Sequence, residues 1–279
     1  MMDSPAPVET ALDPSARQRA RAEAHGVFAR TGARTEPRRL FETGGLRWRF
    51  SRASNPCEAA IVNTGGGVAG GDSYVLSLTL GEGAEVEATT PAAERIYRSL
   101  GPAASIATRL TLASRARLFW LPQETLMFDG ARLERRLEVE AAGEAEFMIA
   151  ETLVFGRLAM GESRIDASLR DSWRVRRDGR LVFADETRLG HAGGVLDRKA
   201  AGAGARALST IVASAPKIEA RLPDLRAALN AAGEAVESGA SAFDGLIVAR
   251  LIAPSARELR GALVASIVAL GGRKPRLWP

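Results

Sequence analysis

Carboxylates placed at the ends of apolar stretches are the residues with most to offer chemically in this chain. Glu151 lies in FMIAETLVFG, where every neighbour on either strand face is apolar or small except Thr152. Glu94 follows the turn TTPAA, Glu124 follows Trp120-Leu121-Pro122-Gln123, and Glu162 follows Ala159-Met160-Gly161. A carboxylate so placed is either buried or lines an internal channel, and burial raises its pKa unless a cation or a donor compensates. For any one of them the plain alternative is a solvated strand end or an ion pair with a nearby arginine. As a set they read as an oxygen-rich lining rather than a catalytic pair, because no spacing here fixes two of them at acid–base distance.

Other chemistries find less support. The loop NTGGGVAGGD (Asn63–Asp72) is glycine-rich, yet it lacks the Gly-Lys-Ser/Thr ending of a phosphate loop and leads into a strand rather than a helix. It reads as a tight strand–turn–strand crossing in which glycines allow close backbone approach, with Asp72 at the following strand start. His25 and His191 are the two histidines, Cys57 is the single cysteine, and no Cys-x-x-Cys or His-x-x-x-His occurs. A closed zinc or nickel cage is therefore not expected. No nucleophile-elbow sequence accompanies the histidines, so serine-hydrolase chemistry has no anchor. One cysteine excludes an internal disulfide and fits a reducing cytoplasm.

The elements that must carry these residues are strands. From Gly26 to Ala220 the pattern is mostly period two. Leu76, Leu78 and Leu80 alternate with Ser77 and Thr79; Leu133, Leu137 and Val139 alternate with Glu134, Arg136, Glu138 and Glu140. Ser172–Asp185 holds an Asp178-Gly179 turn between apolar alternations, a hairpin signal. Three segments, GAEVEATTP (Gly83–Pro91), RARLFWLPQE (Arg115–Glu124) and EAEFMIAET (Glu144–Thr152), share one shape and recur at a spacing of roughly thirty residues. They predict β-layers stacked along one axis, the alternative being an ordinary antiparallel sandwich. The period then changes. Leu222–Ala232 has helical spacing with Pro223 in its first turn, Gly245–Ala253 is an apolar strand, and Ser255 with Glu258 forms a capping box for a helix ending at Gly271-Gly272. The expected fold is mainly β, a stacked or helical arrangement of β-layers with two C-terminal α-helices and one late strand. Residues 1–25 form a disordered or loosely attached arm, and 26–279 a single domain whose helical part covers about 222–279.

Composition narrows the function classes. Of 279 residues, 46% are hydrophobic and 25% charged, the mix of a globular protein rather than a disordered one. The N-terminal stretch has no apolar core of a secretory signal and no apolar run approaches membrane-spanning length, so a soluble cytoplasmic protein is expected. The net charge of +5 comes from arginines dispersed along alternating strands. It reads as a solvated basic surface or a match for an acidic protein partner. Binding of RNA would need exposed aromatics beside arginine, and 5% aromatic residues in core-like positions argue against it.

Taken in order, NTGGGVAGGD (63–72), TTPAAERIYRS (89–99), WLPQETLMFDGARLERRLEV (120–139), ETLVFGRLAMGE (151–162), DSWRVRRDGRLVFAD (171–185) and PRLW (275–278) resemble the urease accessory protein UreD (UreH) family over nearly the whole chain after the arm. The family loop reads closer to NTAGGLTGGD, so Gly65, Val68 and Ala69 depart from it, and Pro91 stands where Gln is common. The resemblance implies a β-rich, non-enzymatic scaffold that binds apo-urease and recruits UreF and the GTPase UreG for GTP-dependent nickel insertion. It also implies an internal nickel passage and a complex with two copies of each accessory protein, without nucleic acid or membrane.

A conduit suits this composition better than a store. Nickel favours imidazole and thiolate, whereas carboxylate, hydroxyl and carbonyl ligands hold it weakly and let it exchange. No cofactor is then bound tightly and nickel is transient. The expected lining is Asp72, Thr89, Thr90, Glu94, Glu124, Asp129, Glu151 and Glu162, with Glu151 facing water rather than an arginine. Leu259, Leu263, Ile267 and Trp278, on the last helix and basic tail, are the expected partner-docking residues. The rival reading is a carboxylate-dependent enzyme on a stacked-β fold, which needs an open groove with two facing carboxylates.

Overall fold

The computed structural model describes residues 19–51, 56–157, 160–162 and 165–279. The early strands are β1 (Arg21–Thr31), β2 (Arg34–Thr43), β3 (Leu46–Phe50), β4 (Cys57–Asn63), β5 (Ser73–Leu80), β6 (Glu85–Thr89) and β7 (Glu94–Ile96). There follow β8 (Ala104–Leu112), β9 (Arg117–Trp120), β10 (Thr125–Met127), β11 (Arg132–Ala141), β12 (Glu146–Phe155), β13 (Ser168–Arg177) and β14 (Arg180–Leu189). The remainder comprises α1 (Ala192–Leu196), β15 (Ala207–Ser214), α2 (Leu222–Asn230), β16 (Glu237–Phe243), β17 (Leu246–Ala253) and α3 (Ala256–Ala269).

Two sheets stack face to face. The first has the order β14-β13-β11-β8-β5-β1-β2, the second β16-β17-β15-β12-β9-β6-β4-β3, with β10 beside β12 and β7 beside β10. Between β4 and β13 the chain passes from sheet to sheet, so that each coil lays its strand parallel to that of the previous coil. The three repeats read from the sequence are the neighbours β6, β9 and β12, held in register: Glu85, Arg117 and Glu146 lie side by side, as do Val86, Leu118 and Phe147. Stacking lets like positions of successive coils bury one another's apolar faces. Antiparallel pairs close the ends: β1–β2 and β3–β4 at one, β13–β14 and β15–β17–β16 at the other. Asp178 and Gly179, at φ 50° and 77°, form the left-handed turn expected between β13 and β14.

Alternation on β12 separates two cores. Phe147, Ile149, Leu153 and Phe155 enter the core between the sheets, while Met148, Ala150 and Val154 face a second core built with α2 and α3. In α3 the Ser255 hydroxyl accepts from the Glu258 amide and donates to its carboxylate. The helix stops before Gly271, whose φ of 87° suits glycine.

The structure departs from expectation in three places. β1 begins at Arg21, with Ala22 and Ala24 fully buried, so the arm expected to reach residue 25 gives its last five positions to the sheet. The first 18 residues of that arm lie outside the described residues. β16 stands within the stretch expected to be helical: its ESGASAF sequence has no branched alternation, and edge pairing with β17 orders it. The short α1 was also unexpected.

Candidate functional site

Successive coils meet across the inter-sheet core, and there the apolar packing is interrupted by a cavity of about 70 Å³. That volume suffices for a few waters. Its polar lining includes Asn63 (end of β4), Thr90, Glu94 (β7), Thr108 (β8), Thr125 (β10), Arg135 (β11) and Glu151 (β12). Tyr74 and Trp120 supply aromatic walls.

A buried ionic trio bridges the two sheets at this point. Arg135 and Asp171 are direct partners on the parallel strands β11 and β13. The Arg135 guanidinium donates through Nε to Asp171 Oδ1 at 2.9 Å and through Nη2 to Asp171 Oδ2 at 2.5 Å. Its Nη1 lies 2.9 Å from Glu151 Oε2 on the opposite sheet. That approach is an ion pair without hydrogen-bond geometry, and Glu151 Oε2 is buried with no hydrogen-bond partner. The other oxygen, Oε1, accepts from the Trp120 indole N–H at 2.7 Å. Trp173 donates its indole N–H to Asp171 Oδ2 at 3.3 Å. All three charged side chains are less than a tenth exposed.

Electrostatics follow from burial. Desolvation pushes the Glu151 carboxyl above the ordinary glutamate range, and Arg135 offsets only part of this. For Arg135, burial favours deprotonation, but Asp171 and Glu151 outweigh it and hold the guanidinium charged. Glu94 is also raised by desolvation, with Asn63 pulling the other way. Asn63 Nδ2 lies 3.0 Å from each Glu94 oxygen, the Arg95 amide donates to Oε1 at 3.2 Å, and the Arg95 charge pulls in the same direction as Asn63.

The eight expected lining residues do not form one continuous row. Thr90, Glu94 and Glu151 line the cavity. Glu151 therefore faces both an arginine and the cavity, which corrects the expectation of water alone. Asp72 fastens the glycine loop instead: its carboxylate accepts from the amides of Ala69 at 2.8 Å and Ala20 at 2.9 Å. At Gly70 a Cβ would stand 2.0 Å from Ser99 Oγ, so the loop's close approach requires glycine there. Thr89 donates to the Leu121 carbonyl at 2.6 Å on the outer side of the second sheet. Glu124 pairs with Arg260, Asp129 with Arg98 and Glu162 with Arg157. The Arg157 partnership holds Glu162 below the usual carboxylate range.

The expected docking residues are committed internally. Leu259, Leu263 and Ile267 lie in the core beneath α3, and Trp278 is 5% exposed. The Trp278 indole N–H reaches the Leu121 carbonyl and Thr89 Oγ1, each at 3.2 Å, and Arg260 stacks over its ring at 5.2 Å. Arg273 ties the tail to Glu87 and Glu58 at 2.9 Å each. Trp278 and Arg273 therefore hold the tail on the chain's own second sheet, while Leu259, Leu263 and Ile267 bury the inner face of α3.

The histidines stand apart from the cavity. His25 contacts Ser77 and Glu23, and exposed His191 contacts Asp166. Burial pushes the Cys57 thiol up to about 11, well above the range of a reactive thiolate. Among the described residues no three His, Cys, Asp or Glu side chains converge to hold a metal ion, and no helix is long and apolar enough to cross a membrane.

Comparison with known proteins fits this architecture. The family model described as UreD urease accessory protein matches residues 20–279. The urease accessory protein UreD of Beijerinckia indica is 48% identical over 264 residues, covering 94% of this chain and 98% of its own. That of Methylobacterium sp. strain 4-46 is 46% identical over 274 residues, covering 95% of this chain and 97% of its own. With two stacked sheets, a polar inter-sheet cavity and this full-length similarity, the chain belongs to the UreD family of urease accessory proteins.

Proposed function

We propose that the chain is a non-enzymatic cytoplasmic scaffold in urease maturation, binding apo-urease and recruiting UreF and UreG, with nickel as cargo passing between its two sheets. The observation that carries this reading is the charge of the cavity and its flank. Glu151 and Asp171 share one guanidinium, Arg135, and Glu94 lines the same cavity as Glu151, so when all are ionised the three carboxylates exceed that cation by two charges. A confined excess of negative charge attracts a divalent cation. Oxygen donors alone, with no imidazole or thiolate among the cavity walls, let such an ion leave again. The raised pKa values of Glu94 and Glu151 make protons competitors for the same oxygens, which also favours exchange over storage.

The test is co-expression of the tagged chain with apo-urease, UreF and UreG. Recovery of all partners on the tag, and nickel-poor urease when the chain is omitted, is the expected result. Urease that carries its full nickel without the chain would overturn the proposal.

A further inference from the structure

A fixed positive charge is out of place in a cation passage, yet Arg135 projects into this one. Its two grips are unequal. Asp171, the neighbour on the same sheet, holds the guanidinium by two hydrogen bonds. Glu151, across the cavity, holds it through one close approach without hydrogen-bond geometry. Glu151 is itself fixed by Trp120 through Oε1, which leaves Oε2 buried, without a hydrogen bond and 2.9 Å from the guanidinium, in a side chain that lines the cavity. A buried carboxylate oxygen that accepts no hydrogen bond depends on the charge beside it, which here is the Arg135 guanidinium.

We infer that Arg135 is the gate of the passage: its guanidinium fills the cation position at Glu151 Oε2, and a divalent ion advances by displacing it while Asp171 retains it. The inference rests on the conduit reading above. The exchange leaves no charge stranded. Asp171 alone balances Arg135 once Glu151 is released, and the arriving ion replaces the positive charge that Glu151 loses. Arginine remains protonated throughout the working pH range, so competition for the carboxylate, not proton loss, opens the gate. A monovalent ion brings half the charge and competes correspondingly less well, so the arrangement favours divalent over monovalent cations. No covalent step is involved.

The test is the double substitution Arg135→Gln with Asp171→Asn. It removes the gate together with its anchor. The trio's net charge of −1 (one cation, two carboxylates) is kept, since Glu151 alone remains. In cells carrying the urease genes, the nickel concentration giving half-maximal urease activity is expected to fall by about threefold or more at equal amounts of assembled complex. An unchanged or higher nickel requirement overturns the gate, because a purely structural trio predicts lost stability but no easier loading. Arg135→Lys keeps a cation but loses the fork, and serves if the double variant does not fold. It should move the nickel requirement the same way by a smaller factor, and an unchanged requirement in this folded variant again overturns the gate. Glu151→Gln run alongside separates the two levels. Normal activation by that variant defeats the conduit itself, whereas impaired activation with an unmoved gate variant defeats only the role of Arg135.

Discussion

Replacing Arg135 by methionine removes the one cation shared by two buried carboxylates while keeping an unbranched chain in its place. Glu151 and Asp171 would keep their indole donors, Trp120 at 2.7 Å and Trp173 at 3.3 Å, but lose all compensating charge. Stranding a buried charge by deleting its partner costs about 3–5 kcal/mol. For a chain of this size that corresponds to a fall in Tm of roughly 6–20 °C. The sign of the pH dependence gives a stricter check. In the variant Glu151, already raised by burial, loses the cation that opposes that shift and binds its proton more tightly folded than unfolded, so its penalty is absent below the unfolded pKa near ~4 and grows as pH rises toward the raised folded value. Thermal unfolding of wild type and Arg135→Met, followed from about pH 7.5 down to about pH 4.5, should show the gap in Tm narrowing with acidity. A gap below about 1 kcal/mol at neutral pH, or one that widens in acid, would refute the view that the trio is held by charge.

Further outcomes follow from individual side chains. Glu151→Gln leaves Arg135 balanced by Asp171 and Trp120 still able to donate to the amide oxygen, so Tm should move by no more than about 2–4 °C, read by calorimetry. Glu94 is raised by burial, which Asn63 and Arg95 offset only in part, so Glu94→Gln should raise Tm at neutral pH, with the gain shrinking as pH falls toward the ordinary glutamate range. Trp278→Ala should cost about 3–5 kcal/mol and expose the Glu87–Glu58 side of the second sheet to hydrogen exchange. Ser255→Ala should cost about 1 kcal/mol through loss of the α3 cap, measurable by denaturant unfolding at unchanged slope.

Much of the fold was legible because coiled β-layers repeat their chemistry along the chain. Val86, Leu118 and Phe147 occupy like positions in three sequence repeats, and the structure stacks them in register. The hairpin at Asp178-Gly179 and the Ser255 cap were legible for local reasons, since turn and cap chemistry is read within four residues. The edge strand β16 was not, because Gly and Ala carry no alternation and pairing with β17 supplies the order. At the site, Glu151 was legible through its apolar neighbours, but its partners were missed. Arg135 has the strand parity of buried Leu133, Leu137 and Val139, and Asp171 that of buried Leu169, Trp173 and Val175. A charge on the inward parity of two strands was the available signal. The distance across the cavity to Glu151 was not, because it depends on which coils stack. Asp72, Glu124, Asp129 and Glu162 looked equivalent to Glu94 in sequence, and only tertiary contacts show them engaged by amides or arginines. The residues of α3 expected to dock a partner are engaged within the chain for a related reason: an apolar helix face seeks cover, and here the chain's own second sheet provides it.

The most direct test of the central claim is the nickel content of urease purified from cells in which this chain carries Glu94→Gln together with Glu151→Gln. Both carboxylates line the inter-sheet cavity, and both substitutions preserve side-chain volume. With the accessory complex assembled in normal amount, passage between the sheets requires urease that is complete in polypeptide but poor in nickel and activity. Urease with its full nickel complement from those cells would contradict passage between the sheets.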